Sequence, residues 1–154
     1  MSTSPRILII DDDENIRKTL ELTLKNSGYQ VDTAQNGQEA IMKADANFYN
    51  LALIDIRLPD MDGTQLLTSL RETTPRMVKI ILTGYPALEN AVRAINNRVD
   101  GYLIKPVKED ELLGTIKQHL DDQKEQKQLD QQKIAQFIDT RFRELNSQTN
   151  EKGR

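Results

Sequence analysis

An α/β fold, with a mainly parallel five-stranded sheet covered by helices on both faces, is what this sequence predicts. Three observations carry the expectation. Short strand-like segments recur five times, four of them apolar runs, at Arg6 to Ile10, Leu51 to Asp55, Val78 to Leu82 and Gly101 to Lys105, and one weakly alternating, at Gln30 to Ala34. The segments between them repeat their apolar residues every three or four positions, the period of a helix with one buried face. Four of the runs also stop at a side chain that can do chemistry: Asp11-Asp12-Asp13, Asp55, Thr83 and Lys105. Strand and helix in strict alternation require crossovers, and crossovers give parallel neighbours with helices on both sides.

Arg6 to Ile10 opens the fold as a strand apolar on both faces. Glu14 to Ser27 follows as a helix with Ile16, Leu20 and Leu24 on one side, stopped by Gly28. Gln30 to Ala34 alternates weakly and reads as a more peripheral strand. Asn36-Gly37 opens a second helix whose inner stripe is Ala40, Ile41, Ala44 and Phe48. Leu51 to Asp55 is the central strand, cut short by Pro59, which cannot donate to a ladder. Turn residues Pro59 to Gly63 lead into a third helix carrying Leu66, Leu67 and Leu70. After Pro75 comes the fourth strand. Pro86 to Asn97 is predicted as a fourth helix, Gly101 to Lys105 as the last strand, and Glu109 onward as a helix faced by Leu112, Leu113, Ile116 and Leu120. Five strands wound this way suggest the flavodoxin-like order 2-1-3-4-5, whose ligands sit between strands 1 and 3. Those two strands end in Asp11-Asp12 and Asp55.

Composition changes near residue 122. Residues 1–122 suffice for one domain with an adequate core. Residues 123–154 form a polar and then amphipathic helical tail, with Ile134, Phe137, Ile138, Phe142 and Leu145 at helical spacing and a frayed end. With no cysteine, the chain has no disulfide, thiolate metal site or cysteine nucleophile, and its net charge of −3 gives no broad basic field for nucleic acid. No apolar run approaches the roughly 20 residues that span a bilayer, and Met1 to Pro5 lacks the apolar stretch of a signal peptide. The expectation is a soluble, cytoplasmic protein.

Carboxylates gathered at neighbouring strand ends repel one another by about 4 kcal/mol per pair at 4 Å in a surface-like dielectric. Such a cluster holds protons or a cation, and hard oxygen donors without histidine or cysteine select magnesium, calcium or manganese. A carboxylate at the central strand can itself be a nucleophile that becomes an aspartyl phosphate. The phosphoryl charge would then need a cation, an amine and a hydroxyl, the set that Asp12, Lys105 and Thr83 supply around Asp55.

These residues resemble the receiver domain of two-component response regulators. The matching stretches are Ile9-Ile10-Asp11-Asp12, Leu53-Ile54-Asp55 followed by Leu58-Pro59-Asp60-Met61-Asp62-Gly63, Leu82-Thr83-Gly84, and Gly101-Tyr102-Leu103-Ile104-Lys105-Pro106, in order and spacing over Arg6 to about Leu120. The resemblance implies that Asp55 accepts a phosphoryl group from a histidine of a partner kinase or phosphotransfer protein. It implies Mg2+ held by Asp12, Asp55, the Arg57 backbone carbonyl and, through water, Asp11. It implies that Lys105 contacts the phosphate, that Lys105–Pro106 is cis, and that Thr83 and Tyr102 are paired switch residues. Arg57 and Tyr85, two positions past the aspartate and the threonine, would flank the hydrolytic water. Such a phosphorelay protein is not an enzyme toward other substrates.

Competing readings attach to several residues. Asp13 reads as a helix N-cap, Asp60 and Asp62 as turn formers with solvated carboxylates, and His119 as solvated on a polar helix face. Asp60-Met61-Asp62-Gly63-Thr64 also spells the Asp-x-Asp-Gly-Thr motif of haloacid-dehalogenase-like phosphatases, although Arg57 to Pro59 separate it from the strand. Some 30 residues past the receiver are too few for a packed output domain, and Lys133, Arg141 and Arg143 are interleaved with Asp139 and Glu144. The output is therefore a relay, a contact with a downstream protein, or that of a transcription-regulating response regulator of which this is a fragment. A homodimer would use the C-terminal helix or the face built from the fourth helix, fifth strand and fifth helix.

Overall fold

The computed structural model describes residues 3–84 and 99–152. The predicted helix Pro86 to Asn97 and Tyr85 lie outside the described residues. Strands β1 (Arg6–Ile10), β2 (Gln30–Ala34), β3 (Leu51–Asp55), β4 (Val78–Thr83) and β5 (Gly101–Ile104) form one parallel sheet in the order β2-β1-β3-β4-β5, as expected. Helices α1 (Glu14–Asn26), α2 (Gly37–Ala46) and α3 (Gly63–Ser69) occupy the crossovers, and a C-terminal helix spans Glu109–Lys152.

Alternation along the strands builds two cores. Leu8, Ile10, Ala52, Ile54 and Ile81 meet Ala40 and Ala44 of α2 and Leu66, Leu67 and Leu70 around α3. Ile7, Ile9, Leu51, Leu53, Ile80 and Leu82 meet Leu24 of α1 and Leu112, Ile116 and Leu120 of the C-terminal helix. The central strands β1 and β3 are covered on both faces and have no polar side to show, which is why they read as unbroken apolar runs, whereas the edge strand β2 keeps Gln30 exposed. Each fully buried Leu or Ile contributes about 2 kcal/mol through the area it removes from water. Gly28 ends α1 at φ +95°, where a side chain would be strained.

Two expectations on α2 and the C-terminal helix need correction. Phe48 is not part of the α2 stripe: the helix ends at Ala46 and Phe48 is exposed. Tyr49 takes the core position instead, donating its phenol to Asp32 at 2.6 Å under the Arg6 guanidinium, 5.2 Å from the ring centroid. Burial, and then its bond to the Asp32 carboxylate, push the phenol's pKa well up. His119 is half-buried rather than solvated, its ring lying so close to Gly101 that a Cβ there would sit 3.1 Å from Nε2.

Asp60 is more than a turn former. Its carboxylate accepts from the Gly37 and Gln38 amides at 2.9 Å each, while Asn36 accepts from Glu39 at 2.8 Å. The first three orphan amides of α2 are thereby satisfied, two of them from the loop that follows β3. Met61 of the same loop packs where a Gly37 side chain would be. The two amides hold the Asp60 carboxyl below the usual aspartate range. Because that pKa is depressed on folding, the stabilisation is fully present above the unfolded value near 4 and is lost as pH falls through the folded value. Asp60→Ala is expected to lower the thermal midpoint at neutral pH and to speed hydrogen exchange at Gly37 and Gln38. Unchanged exchange at both amides would show that the loop does not hold α2.

The chain divides into two compact units, Met1–Leu120 and Asp121–Arg154. In the second, Leu129, Ile134, Phe137, Ile138, Phe142 and Leu145 are all exposed.

Candidate functional site

The C-terminal ends of β1, β3 and β5 deliver Asp11, Asp12, Asp55 and Lys105 to one place. Asp11 and Asp55 follow apolar strands paired side by side in parallel, so their loops leave the sheet at the same edge. Among the described residues, one oxygen from each of Asp11, Asp12 and Asp55 lies within 4.8 Å of the other two. Asp11 is buried, Asp55 half-buried and Asp12 exposed.

Asp11 is fastened at every polar atom. Its amide donates to Ala34 at 3.1 Å and its carbonyl accepts from Arg17 at 2.8 Å. One carboxylate oxygen accepts from the Asp13 amide at 2.9 Å and the other from Lys105 Nζ at 3.0 Å. Lys105 Nζ lies 3.7 Å from Asp55 Oδ2, and the Arg57 amide donates to Asp55 Oδ1 at 3.1 Å. The Asp55 carboxyl is pushed above the usual aspartate range, chiefly by burial and further by the charges of Asp11 and Asp12; the Arg57 amide and the Lys105 ammonium oppose this.

Thr83 is buried at the end of β4, and its carbonyl accepts from the Lys105 amide at 2.7 Å. Tyr102 pairs with Ile81 on β5 and packs half-buried against the core on the α2–α3 side. Strand alternation puts Thr83 on that same side of the sheet. Lys105–Pro106 is cis, as the resemblance implied, and Thr74–Pro75 is also cis. Beside Lys105 an open, mostly apolar groove of about 490 Å³ runs between Ile16, Thr19 and Leu20 of α1 and Leu82, Pro106 and Val107.

Asp13 is the N-cap of α1, accepting from the Ile16 amide at 3.1 Å. Asp62 likewise caps α3 through the Gln65 amide at 2.8 Å. With Asp60 holding α2 and Asp62 holding α3, the Asp-x-Asp-Gly-Thr spelling sits in capping roles and not at a strand end, which removes the structural context of the phosphatase reading. Arg17 was not singled out from the sequence. The signal available was its place one turn after the Asp13 cap, where a long cation can reach back to the strand end.

The chemistry of this arrangement follows from its donors. Three hard carboxylate oxygens with no nitrogen or sulfur among them suit a hard divalent cation such as Mg2+. The partly buried Asp55, with an ammonium on one side and an amide on the other, suits a carboxylate nucleophile toward phosphorus.

The profile of the response regulator receiver domain matches residues 7–117. The cell cycle response regulator CtrA of Brucella ovis is 36% identical over 111 residues, 72% of this chain and 48% of that protein. The chain thus spans about half the length of the curated relatives it matches. Among solved structures, a CheY-like receiver domain protein from Methanospirillum hungatei is 44% identical with a TM-score of 0.74, covering 80% of this chain and 98% of that one. The response regulator TrrA from Thermotoga maritima, solved in complex with Mg2+-BeF, is 33% identical with a TM-score of 0.67, covering 75% and 98%.

Proposed function

The chain belongs to the response regulator receiver domain family of two-component systems, and from that premise we propose that Asp55 is its phosphoacceptor. The observation that carries the proposal is the position of the Asp55 carboxylate, at the end of β3, between Lys105 Nζ and the Asp11–Asp12 pair. A carboxylate oxygen of Asp55 attacks phosphorus, the bond from phosphorus to the donor's imidazole nitrogen breaks, and the imidazole leaves with its electron pair and takes a proton. Mg2+, when bound, would supply positive charge against the phosphoryl oxygens. Asp12, Asp55 and the Arg57 carbonyl would hold the cation directly, and Asp11, whose oxygens Lys105 and the Asp13 amide already engage, would contribute through water. Lys105 moves from Asp55 toward the phosphate. Thr83 donates its hydroxyl to the phosphoryl group, and Tyr102 follows it inward on the same side of the sheet.

The donor is a sensor histidine kinase or phosphotransfer protein of the cytoplasm. The apolar groove beside Lys105 suits a helix that presents its histidine to Asp55. The output is contact with a downstream protein, and catalysis is confined to the chain's own phosphorylation and dephosphorylation. The test is incubation of the full chain with acetyl phosphate and Mg2+. One acid-labile phosphoryl group per chain is expected, and no uptake at all would overturn the reading.

Loss of that group is expected to be slow: Arg57 is bulky and exposed, and in this reading it flanks the route of the attacking water two positions past Asp55. Arg57→Asn should shorten the lifetime of the phosphoprotein several-fold. An unchanged decay rate would show that Arg57 does not control access.

A further inference from the structure

We propose that the C-terminal helical segment is a self-association element that pairs antiparallel with the same segment of a second copy of this chain. Ile134, Phe137, Ile138, Phe142 and Leu145 lie on a helix and are each more than half exposed. An isolated helix this polar is marginal in water, and its apolar stripe is the part that gains from being covered. At these exposures the five side chains leave about 500 Å² of apolar surface per copy. Two such faces together offer at most roughly 1,000 Å², the lower end of what a specific interface buries.

Charge selects the occupant. Between Asp121 and Lys152 stand six lysines and arginines against seven carboxylates. A nucleic acid or an anionic lipid surface wants a basic excess that this segment lacks. A second copy, with a net charge of only −1 over the same segment, meets little repulsion.

Register selects the direction. Ile134, Ile138, Arg141 and Leu145, spaced by four, three and four, share one seam, with Phe137 and Phe142 at its flanks. A parallel in-register pair would place Arg141 against the partner's Arg141 in the middle of that seam. The antiparallel pair sets Ile134 beside the partner's Leu145 and Ile138 beside the partner's Arg141. The arginine stem can then cover the isoleucine while its guanidinium keeps Glu144, 3.3 Å away.

The proposal does not depend on phosphorylation of Asp55, so its test uses the full unphosphorylated chain. Sedimentation at tens of micromolar is expected to give twice the monomer mass, and Ile138→Asp with Phe142→Asp is expected to return it to the monomer. Because the chain has no cysteine, the direction can be read by crosslinking. A mixture of Ile134→Cys and Leu145→Cys proteins should form the mixed disulfide, and neither should crosslink when alone. A monomeric full chain, or a dimer that survives the double substitution, overturns the pairing. Self-crosslinking of Leu145→Cys by itself overturns the antiparallel register.

Discussion

Asp55→Asn is expected to take up no phosphoryl group from acetyl phosphate under conditions that label the unsubstituted chain once. The amide is nearly the size of the carboxylate and keeps an oxygen for the Arg57 amide, which now donates at 3.1 Å. What it loses is the anionic oxygen that attacks phosphorus, and a neutral amide is too weak a nucleophile to replace it. The substitution should not unfold the domain. Burial and the charges of Asp11 and Asp12 work against an ionised Asp55, so a neutral residue there relieves repulsion and leaves the thermal midpoint equal or higher. Folding and labelling are then separable: a folded, unlabelled Asp55→Asn protein supports the assignment. Labelling at the unsubstituted level in that variant would move the phosphoacceptor elsewhere, with the exposed Asp12 the first alternative to map.

Both cores were legible because apolar periodicity and strand length report directly on burial, and the strand order because strict strand–helix alternation over five strands leaves few windings. The carboxylate cluster was legible because each member ends an apolar run, and parallel neighbours bring such ends together. Asp60 and Tyr49 were not, because each acts across elements distant in sequence: Asp60 on the amides of Gly37 and Gln38, Tyr49 onto Asp32. Arg17 differs, since it reaches only six residues back onto the Asp11 carbonyl, within reach of a local reading. Local turn chemistry names Asp60 a turn residue and stops there, since nothing local says that α2 begins beside it. Phe48 and Tyr49 show the same limit by one position. Helical period favours Phe48 only if α2 continues, and the helix stops two residues earlier, at Ala46. The exposed stripe of the tail was legible as a pattern, but a pattern does not carry the identity of what covers it.

Replacing Asp12 with alanine is expected to weaken Mg2+ binding by at least about tenfold, a loss of roughly 1.4 kcal/mol or more. Of the three clustered carboxylates, Asp11 has both oxygens engaged, by the Asp13 amide and by Lys105, and Asp55 already accepts from the Arg57 amide. Asp12 is the exposed member, with the most freedom to give an oxygen to an incoming cation. Removing it also removes one negative charge of the three, so direct coordination and electrostatic attraction fall together. Asp12→Asn separates them: it keeps an oxygen donor without the charge, and its affinity should lie between those of the alanine variant and the unsubstituted chain. Calorimetric titration with MgCl2 measures all three proteins without needing phosphorylation, so failure of the phosphoacceptor assignment would not disturb the result. An alanine variant that binds Mg2+ as tightly as the unsubstituted chain would mean that the cation is held by other groups, and the direct-ligand role of Asp12 would have to be given up.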